Sequence, residues 1–426
     1  MGASRIRQAA WLLLPLGAAE VGVRLLSPRE RLPPPAPASA SEYFQPNEIQ
    51  RGAAFARPQL AWALVKEGCR LGALAGLAAR SPRPASREVG PLPVRGALQA
   101  VRLQGLLTAV SLPVSLVQRR RAMAVGLDRQ NWRGWWSDVA KASVIGTILS
   151  AGGGAAISEL ISRYPRNWWA PAALASVGLG GAMGALAPVV LDPIFNDFTP
   201  LAEGDMRSAV LELAQAAGVE VGEVYSVDAS RRTTGANAYV SGLGPTKRVV
   251  LYDTLLGRYS PEEVRVVVAH ELAHVRHRDV LRALAFSGLV APAAALAVQR
   301  LSRALRAGSD GARRRAQAAP PDLVPALALS ASLVMGPVGL VAGRLSRAIE
   351  RRCDAESLEL SKAPDAFISF QRAIAVQNVG DVDPPRWVRM LLASHPPTLE
   401  RIGAAVAYRE GQAIPDLRNR RIPAGS

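Results

Sequence analysis

Apolar residues along this chain gather in seven blocks, separated by segments rich in charge, proline or glycine. Most blocks approach the roughly 20 residues that an α-helix needs to cross a bilayer. The pattern is that of a mainly α-helical membrane protein rather than of a soluble enzyme. The seven predicted membrane spans are residues 9–26, 58–79, 97–117, 142–161, 168–191, 281–299 and 323–343.

The first two blocks carry ionisable side chains within their apolar runs. Glu20 and Arg24 interrupt the first block, which could serve as an uncleaved signal anchor, and Lys66, Glu67 and Arg70 lie in the second. Ionisable groups inside spans normally face a bundle interior or a wet cavity, so they hint at an internal chamber. A shorter, partly interfacial helix is an equally good interpretation of the second block.

Between the fifth and sixth blocks the pattern changes to that of a soluble α+β segment. Residues 205–218 have helical periodicity, whereas residues 223–230 and 237–256 have the composition of strands. A hairpin turn is predicted within the second strand stretch by Gly242, Gly244 and Pro245.

Composition and charge agree with membrane residence. The 426-residue chain exceeds one ordinary core, and 49% of its residues are hydrophobic despite a net charge of +17. The arginine-rich segments 118–133 and 300–315 predict loops that meet anionic headgroups or fix the topology. A nucleic-acid partner is not predicted, because no aromatic-studded basic groove or known binding fold accompanies these arginines. Tryptophans typical of a membrane interface precede the fourth block and start the fifth, at positions 132, 135, 136, 168 and 169.

The two arginine-rich segments conflict over topology. With seven spans they lie on opposite sides of the membrane, and the positive-inside rule cannot hold for both. Either one span is miscounted, or the sixth helix extends beyond the bilayer and carries its arginines as a solvated face.

Two further features concern the connections of the chain. Residues 31–46, RLPPPAPASASEYFQP, predict an exposed, irregular linker after the first span. Cys69 and Cys353 lie far apart in unlike contexts, so no disulfide framework is predicted.

Candidate chemistry concentrates in VVVAHELAHVRHRDV at residues 266–280, which holds three of the four histidines of the chain. Ser260 as N-cap, Pro261 at the first helical position and acids in the first turn predict a helix that runs through this stretch. His270 and His274 then lie one turn apart on one face and can bind one zinc ion.

The base and the third metal ligand are predicted from neighbouring carboxylates. Glu271 follows the first histidine, so its carboxylate lies beside the metal and can take a proton from an activated water. Glu350 and Asp354 share a face of a later helix, and Glu350 would complete a two-histidine, one-carboxylate site with one zinc per chain. Asp354 is predicted to hydrogen-bond a ligand histidine or to lie near the water. Taken alone, these two acids would be interpreted as a solvated face.

An exposed strand beside such a helix has a use in proteolysis. A sheet edge binds an extended peptide through main-chain hydrogen bonds and presents its carbonyl to the metal. The candidates for this edge are Asn237, Ala238 and Tyr239, with ordinary strand packing as the alternative.

These motifs together resemble the type-I CAAX prenyl protease family of integral-membrane zinc endopeptidases. The resemblance implies seven helices around a large intramembrane chamber, with the zinc site at its cytosolic end. It runs in order from about residue 40 to about residue 410 through DPIFNDFTPL at 192–201, NAYVSGLGPTKRVVLYDTLL at 237–256, HELAH at 270–274, Glu350 with Asp354, and SHPPTLERI at 394–402.

The resemblance also implies roles for single residues. His395 and Arg401 would steady the oxyanion and the site, and Asn237 would lie on the substrate-facing strand. The implied zinc ligands are His270, His274 and Glu350, with Glu271 as base and Asp354 as a second catalytic carboxylate, sometimes described as proton donor.

At Asp279 the chain resembles bacterial relatives, including the heat-shock membrane protease HtpX, better than eukaryotic members. We predict that Asp279 orients a ligand imidazole, with a solvated helix end as the alternative. His277 lies off the ligand face and is predicted to be structural.

We therefore predict a membrane-embedded zinc metalloendopeptidase in the cell membrane, with a zincin-like α+β catalytic domain between the fifth and sixth helices and after the seventh. Its expected partners are the lipid bilayer and a peptide or membrane-protein substrate. The predicted regions are an N-terminal membrane region with a Pro-rich loop at 1–80, membrane helices three to five at 81–200, and a peptidase domain including helices six and seven at 201–426.

Two alternatives accompany this prediction. An HtpX-like quality-control protease of membrane proteins is favoured by the Ala/Arg-rich composition, which is typical of a high-GC bacterial genome where prenylated substrates are not expected. A non-catalytic membrane scaffold with a retained peptidase fold is the other, and the intact set of ligands and base argues against it. No particular oligomeric state is predicted.

Overall fold

The computed structural model describes residues 2–79, 90–242, 247–307 and 319–411. The α-helices in these ranges, numbered in chain order, are α1 Gly2–Leu26, α2 Ala40–Tyr43, α3 Pro46–Ala79, α4 Leu92–Ala124, α5 Trp132–Arg163, α6 Trp169–Leu186, α7 Asp192–Phe195, α8 Asp205–Ala216, α9 Asp253–Leu256, α10 Pro261–Arg276, α11 Asp279–Ala307, α12 Val324–Ser361, α13 Pro364–Gln377, α14 Arg386–Leu391 and α15 Thr398–Arg409. The strands are β1 Phe198–Pro200, β2 Glu223–Val227, β3 Ala238–Ser241 and β4 Arg248–Tyr252. A π-helical turn, Ala187–Leu191, joins α6 to α7, and 3-10 turns lie at Ala229–Arg231 and Pro320–Leu323.

Long helices cover all seven predicted spans. Within the described ranges, five helical segments are long and apolar enough to cross a membrane, and they coincide with the third to seventh predictions. The first two predictions fall on α1 and α3, whose crossing of the membrane stays a prediction. The five segments are Leu92–Ala124, Trp132–Arg163, Trp169–Phe195, Asp279–Leu305 and Pro320–Ser361.

The sixth membrane helix favours one solution to the topology conflict. Helix α11 continues to Ala307, beyond the predicted end of the span at residue 299, and carries Arg300 and Arg303 on its extension. This geometry agrees with the second solution, in which the sixth helix extends beyond the bilayer and its arginines lie on the extension. Residues 308–318, in the rest of that basic segment, lie outside the described residues.

Small residues allow α4 and α5 to pack closely. A Cβ atom added to Gly96 would lie 2.3 Å from the carbonyl oxygen of Gly154, and one added to Gly154 would lie 2.5 Å from the Cβ of Ala100. Such small-residue crossings let helix backbones approach in membranes, where van der Waals packing drives association.

We expect Gly154→Leu to separate α4 from α5, because the new side chain has no room at the crossing. Overpacking of this kind typically costs about 1–3 kcal/mol. Thermal unfolding of the purified protein in detergent would show a lowered melting temperature. The matched control is Gly153→Leu, since a Cβ there meets no atom within 4 Å. Equal melting temperatures for the two variants would contradict this packing.

The four strands form one sheet in the order β1-β2-β4-β3, which places β3 at an edge. β3 and β4 pair antiparallel, with Tyr239 opposite Val250, so the predicted hairpin pairing is present. Gly242 has a φ of 96°, which favours glycine, whereas Gly244 and Pro245 of the predicted turn lie outside the described residues. β2 pairs parallel with β4, and β1 pairs antiparallel with β2.

The predicted strands are longer than the observed ones. Strand β2 ends at Val227, and residues 253–256 form α9 instead of continuing β4. Asp253 joins the segments that follow the two strands, because its carboxylate accepts hydrogen bonds from the backbone N–H and the hydroxyl of Ser230, at 2.9 and 2.5 Å. Strand β1 was not predicted, since three residues are too few to show a two-residue periodicity.

Helix α10 lies where the soluble core meets the membrane bundle. Val264, Val268 and Leu272 are fully buried in the core that α8 and the sheet form. Ala273, one residue later, packs into a second core formed by α1, α11 and α12. The buried helix predicted to run from Pro261 through residues 266–280 is present but ends at Arg276, and its backbone is fixed from two directions.

The Pro-rich linker is irregular as predicted, but it is not simply exposed. Its residues lack helix up to Ser39, yet Ala36 donates a backbone hydrogen bond of 3.0 Å to Gly403 of α15. A Cβ at Gly403 would lie 2.2 Å from the Ala36 oxygen, so glycine permits this contact. Phe44, at the end of the linker, is buried.

Candidate active site

Three predicted metal ligands meet where α10 crosses α12. The Nε2 atoms of His270 and His274 are 3.3 Å apart, and the Glu350 carboxylate oxygens lie 3.2 Å from the first and 3.5 Å from the second. Ligand atoms at the corners of a tetrahedron with bonds of about 2.0–2.1 Å are separated by about 3.3 Å. The donor set therefore has the size and the chemistry that zinc requires.

The buried carboxylate of Glu350 supports the same conclusion. Its Oε2 atom has no hydrogen-bond partner in the part of the chain that the structure describes. Buried polar atoms are normally paired, so an orphaned carboxylate oxygen facing two imidazoles is the expected state of a metal ligand.

Helix α10 reaches its position through a capping box and three contacts with α12. Ser260 accepts a hydrogen bond from the Glu263 N–H at 3.2 Å, and Glu263 accepts one from the Ser260 N–H at 2.8 Å. Across the helix pair, Ser357 donates to the carbonyl oxygen of Val266 at 2.7 Å.

The second and third contacts both use one buried acid of α12. Glu356 accepts a hydrogen bond from Arg276 at 2.7 Å and one from His277. His277 thus lies outside the ligand cluster and joins two helices. Together these bonds fix the register of α10 against the helix that carries Glu350.

Asp354 lies behind the first histidine. Its Oδ1 atom is 3.0 Å from His270 Nδ1, and both its oxygens accept hydrogen bonds from Arg401, at 2.5 and 2.9 Å. A carboxylate in this position fixes the ring so that Nε2 points at the other two predicted ligands. Of the two predicted positions for Asp354, the geometry favours the one beside the histidine over the one beside the water.

The second histidine is oriented by a longer chain of contacts. His274 donates from Nδ1 to Asp279 at 3.0 Å, as predicted for this aspartate, and Arg352 donates to both Asp279 oxygens at 2.6 and 2.7 Å. Arg352 is fully buried. Sequence analysis missed it, because an arginine in the charged run ERRCD has no feature that separates it from its exposed neighbour Arg351.

We expect Arg352→Met to weaken metal binding as well as stability, because Asp279 would lose the cation that fixes it. Breaking a buried ion pair costs about 3–5 kcal/mol, and losing the support behind a ligand typically costs about 10- to 100-fold in metal affinity. Competitive zinc titration of the folded fraction separates the two effects. Arg352→Lys should recover part of the affinity, whereas a purely structural Arg352 would leave the affinity of folded protein unchanged.

A cleft of about 170 Å³ opens beside the ligand cluster, with Leu255, Phe367 and Phe370 on its apolar walls. His395 reaches the cluster from the segment before α15, with Nε2 at 3.4 Å from Glu350 Oε2. Burial raises the pKa of the Glu271 carboxyl above its ordinary value. The polar residues on the cleft include Asn237, His270, Glu271, His395 and Arg401.

The three residues predicted for a peptide-binding edge do not share one environment. β3 is an edge strand, and Asn237, directly before it, lines the cleft. Ala238 is buried in the core, and the Tyr239 hydroxyl donates to Asp192 at 3.1 Å. Of these three residues only Asn237 lines the cleft, so the side chains of the other two have no direct role there.

Comparisons with known proteins agree with this fold and site. The profile of Peptidase family M48 matches residues 200–409. The metalloprotease YhfN of Bacillus subtilis is 30% identical over 301 residues, which are 70% of this chain and 70% of that protein. CAAX prenyl protease 1 of Saccharomyces cerevisiae is 30% identical over 194 residues, 44% of this chain but only 42% of that protein.

A solved structure extends the likeness to the membrane helices. Ste24p of S. mikatae superposes with a TM-score of 0.72 over 93% of this chain and 98% of that chain, at 18% sequence identity. At this identity the match shows the shared fold. The 30% identity to YhfN over 70% of both proteins, with the family match, shows that the chain belongs to peptidase family M48, and with its five apolar helices it is a membrane-spanning, metal-dependent protease.

Proposed function

We propose that this protein is a zinc endopeptidase with one zinc ion per chain, held by His270, His274 and Glu350. The observation that carries the proposal is the convergence of three donor atoms at separations of 3.2–3.5 Å. Two histidines from one helix and a glutamate from a second form the donor set of thermolysin-type enzymes.

The residues around the ligands have complementary tasks in peptide hydrolysis. Zinc, when bound, polarises a carbonyl group and makes water more acidic. Glu271 accepts the proton of the attacking water and passes it to the leaving nitrogen. His395 and Arg401 line the same cleft and offset the negative charge that develops on the carbonyl oxygen. Asp354 and Asp279 keep the two imidazoles in place.

The substrate is an extended peptide or a membrane protein presented near the bilayer. The edge strand β3 and the residue before it can align such a segment, and the apolar walls of the cleft accept hydrophobic side chains.

The names of two relatives leave the substrate class open, since one is called a CAAX prenyl protease and the other a metalloprotease. Cleavage of a prenylated C-terminal peptide, compared with an unfolded membrane protein, separates maturation from quality control. The cell membrane is the proposed location.

Removal of the metal tests the proposal directly. We expect the purified protein to contain one zinc per chain, and a strong chelator to abolish peptide cleavage and lower the melting temperature. A ligand present at a thousand times its Kd stabilises the native state by about 4 kcal/mol, and this contribution is lost with the metal. Added zinc should restore both properties. A chelated protein that still cleaves peptide, or one that never contained metal, would refute the proposal.

A further inference from the structure

The longest helix in the described structure is longer than a bilayer is thick. α12 has 38 residues and is therefore about 57 Å long, whereas the hydrocarbon core is about 30 Å thick. Residues 324–343 contain no charged side chain and account for about 30 Å. Arg344, Arg347 and Arg351 follow at spacings that place them along one side of the helix, and we expect them at headgroup level because the apolar segment ends directly before them.

These three arginines form one wall of a cleft of about 770 Å³, distinct from the catalytic cleft. The end of α1, the short helix α14 and the start of α15, with Glu400, form the other walls. α14 adds Arg386 and Arg389, which makes five guanidinium groups around one cavity. The apolar part of the lining includes Val23, Leu340, Val341, Met390 and Leu391.

Positive charge exceeds negative charge around this cleft. Arg344 pairs with Glu20 and Arg351 with Glu400, each at 2.5 Å, and Arg389 is 3.5 Å from Asp383. Three carboxylates therefore pair with three of the five guanidinium groups, and only one of these acids, Glu400, lines the cleft.

The two remaining arginines lack acidic partners. Arg347 donates to the carbonyl oxygens of Ala393 and Met390, and Arg386 is exposed with no side-chain partner among the described residues. The cleft thus retains free donors and a local excess of positive charge.

Helix α14 also has the character of an interfacial element. It exposes Trp387, Met390 and Leu391 at 50%, 55% and 47%. Tryptophan beside arginine is typical of the level where headgroups meet acyl chains. An exposed apolar surface of this kind is covered when the helix lies against a bilayer.

We propose that this cleft binds an anionic phospholipid, with the phosphate on the arginines and an acyl chain along the apolar wall. Charge complementarity and depth in the membrane select this occupant. An acidic peptide would match the arginines but not the apolar wall that continues toward the hydrocarbon core.

The test uses the full-length protein purified in detergent, with phosphatidylglycerol and phosphatidylcholine as probes and native mass spectrometry as the readout. We expect wild type to retain phosphatidylglycerol in preference to phosphatidylcholine. Each arginine near an anionic surface contributes about fivefold in affinity, so Arg386→Gln/Arg389→Gln should bind phosphatidylglycerol about 25-fold more weakly. The readout is independent of proteolysis, so its failure is distinct from failure of the proposed function.

Arg258→Gln/Arg265→Gln removes the same charge outside the cleft and should retain the lipid as wild type does. Equal retention of both lipids by wild type, or unchanged retention by the cleft variant, would overturn the assignment. Displacement of the lipid by inorganic phosphate would show a site for a free anion instead. Displacement by an oligoglutamate peptide would assign the cleft to an acidic protein partner.

Discussion

Glu271→Gln is expected to abolish peptide cleavage while leaving the metal in place. The amide has the shape of the carboxylate but cannot accept the proton of the attacking water, and loss of a general base costs about 100- to 10,000-fold in rate. Glu271 is not among the three converging donor atoms, so zinc content should stay at one per chain. Cleavage of a quenched peptide and elemental analysis of the same preparation measure both quantities.

The pH profile of wild type gives a second measurement on this residue. Because burial raises the pKa of Glu271, the group protonates at a higher pH than an ordinary glutamate, and kcat/KM should fall as the pH drops through that raised value, above 4.5. The matched control for Glu271→Gln is Glu262→Gln, which should stay active, since Glu262 is exposed in the first turn of the same helix. A fully active Glu271→Gln variant would remove the base from the mechanism.

Glu350→Ala is expected to lose the metal and, with it, all activity. Changes behind a ligand typically cost about 10- to 100-fold in metal affinity, and removal of a ligand itself should cost more. The cavity left at the crossing of α10 and α12 would add a loss of packing. Zinc content after dialysis, competitive titration and peptide cleavage measure the effect.

The matched control lies on the same helix. Glu359 pairs with Lys362 at 2.5 Å, away from the ligand cluster, so Glu359→Gln should retain zinc and activity. Normal zinc affinity in folded Glu350→Ala would show that another group completes the coordination, and the assignment of the third ligand would be wrong.

Features with strong local signals were predictable from the sequence. The cap at Ser260 and Pro261 and the apolar run that follows determine α10, and the four-residue spacing determines which face His270 and His274 share. The five membrane helices were predictable for the same reason, since each is marked by a continuous run of apolar residues. Local sequence patterns did not predict how these elements pack against one another. The prediction that Glu350 lies beside the histidines depended on a resemblance as well as on spacing.

Long-range contacts account for what could not be predicted. Arg352 meets Asp279 only because α11 and α12 pack together, and nothing in the run ERRCD distinguishes a buried arginine from an exposed one. The short strand β1 exists only as a partner of β2. The packing of the Pro-rich linker on Gly403 joins segments more than 360 residues apart, far outside any local pattern.

The crossing of α10 and α12 makes the proposed metal site depend on the order of synthesis. Both histidines are synthesised before Glu350, and the glutamate arrives on a helix whose first half belongs to the bilayer. A nascent chain that has not yet completed α12 therefore lacks the third of the proposed metal ligands. Under the proposed mechanism, proteolysis therefore begins only once this helix is in place.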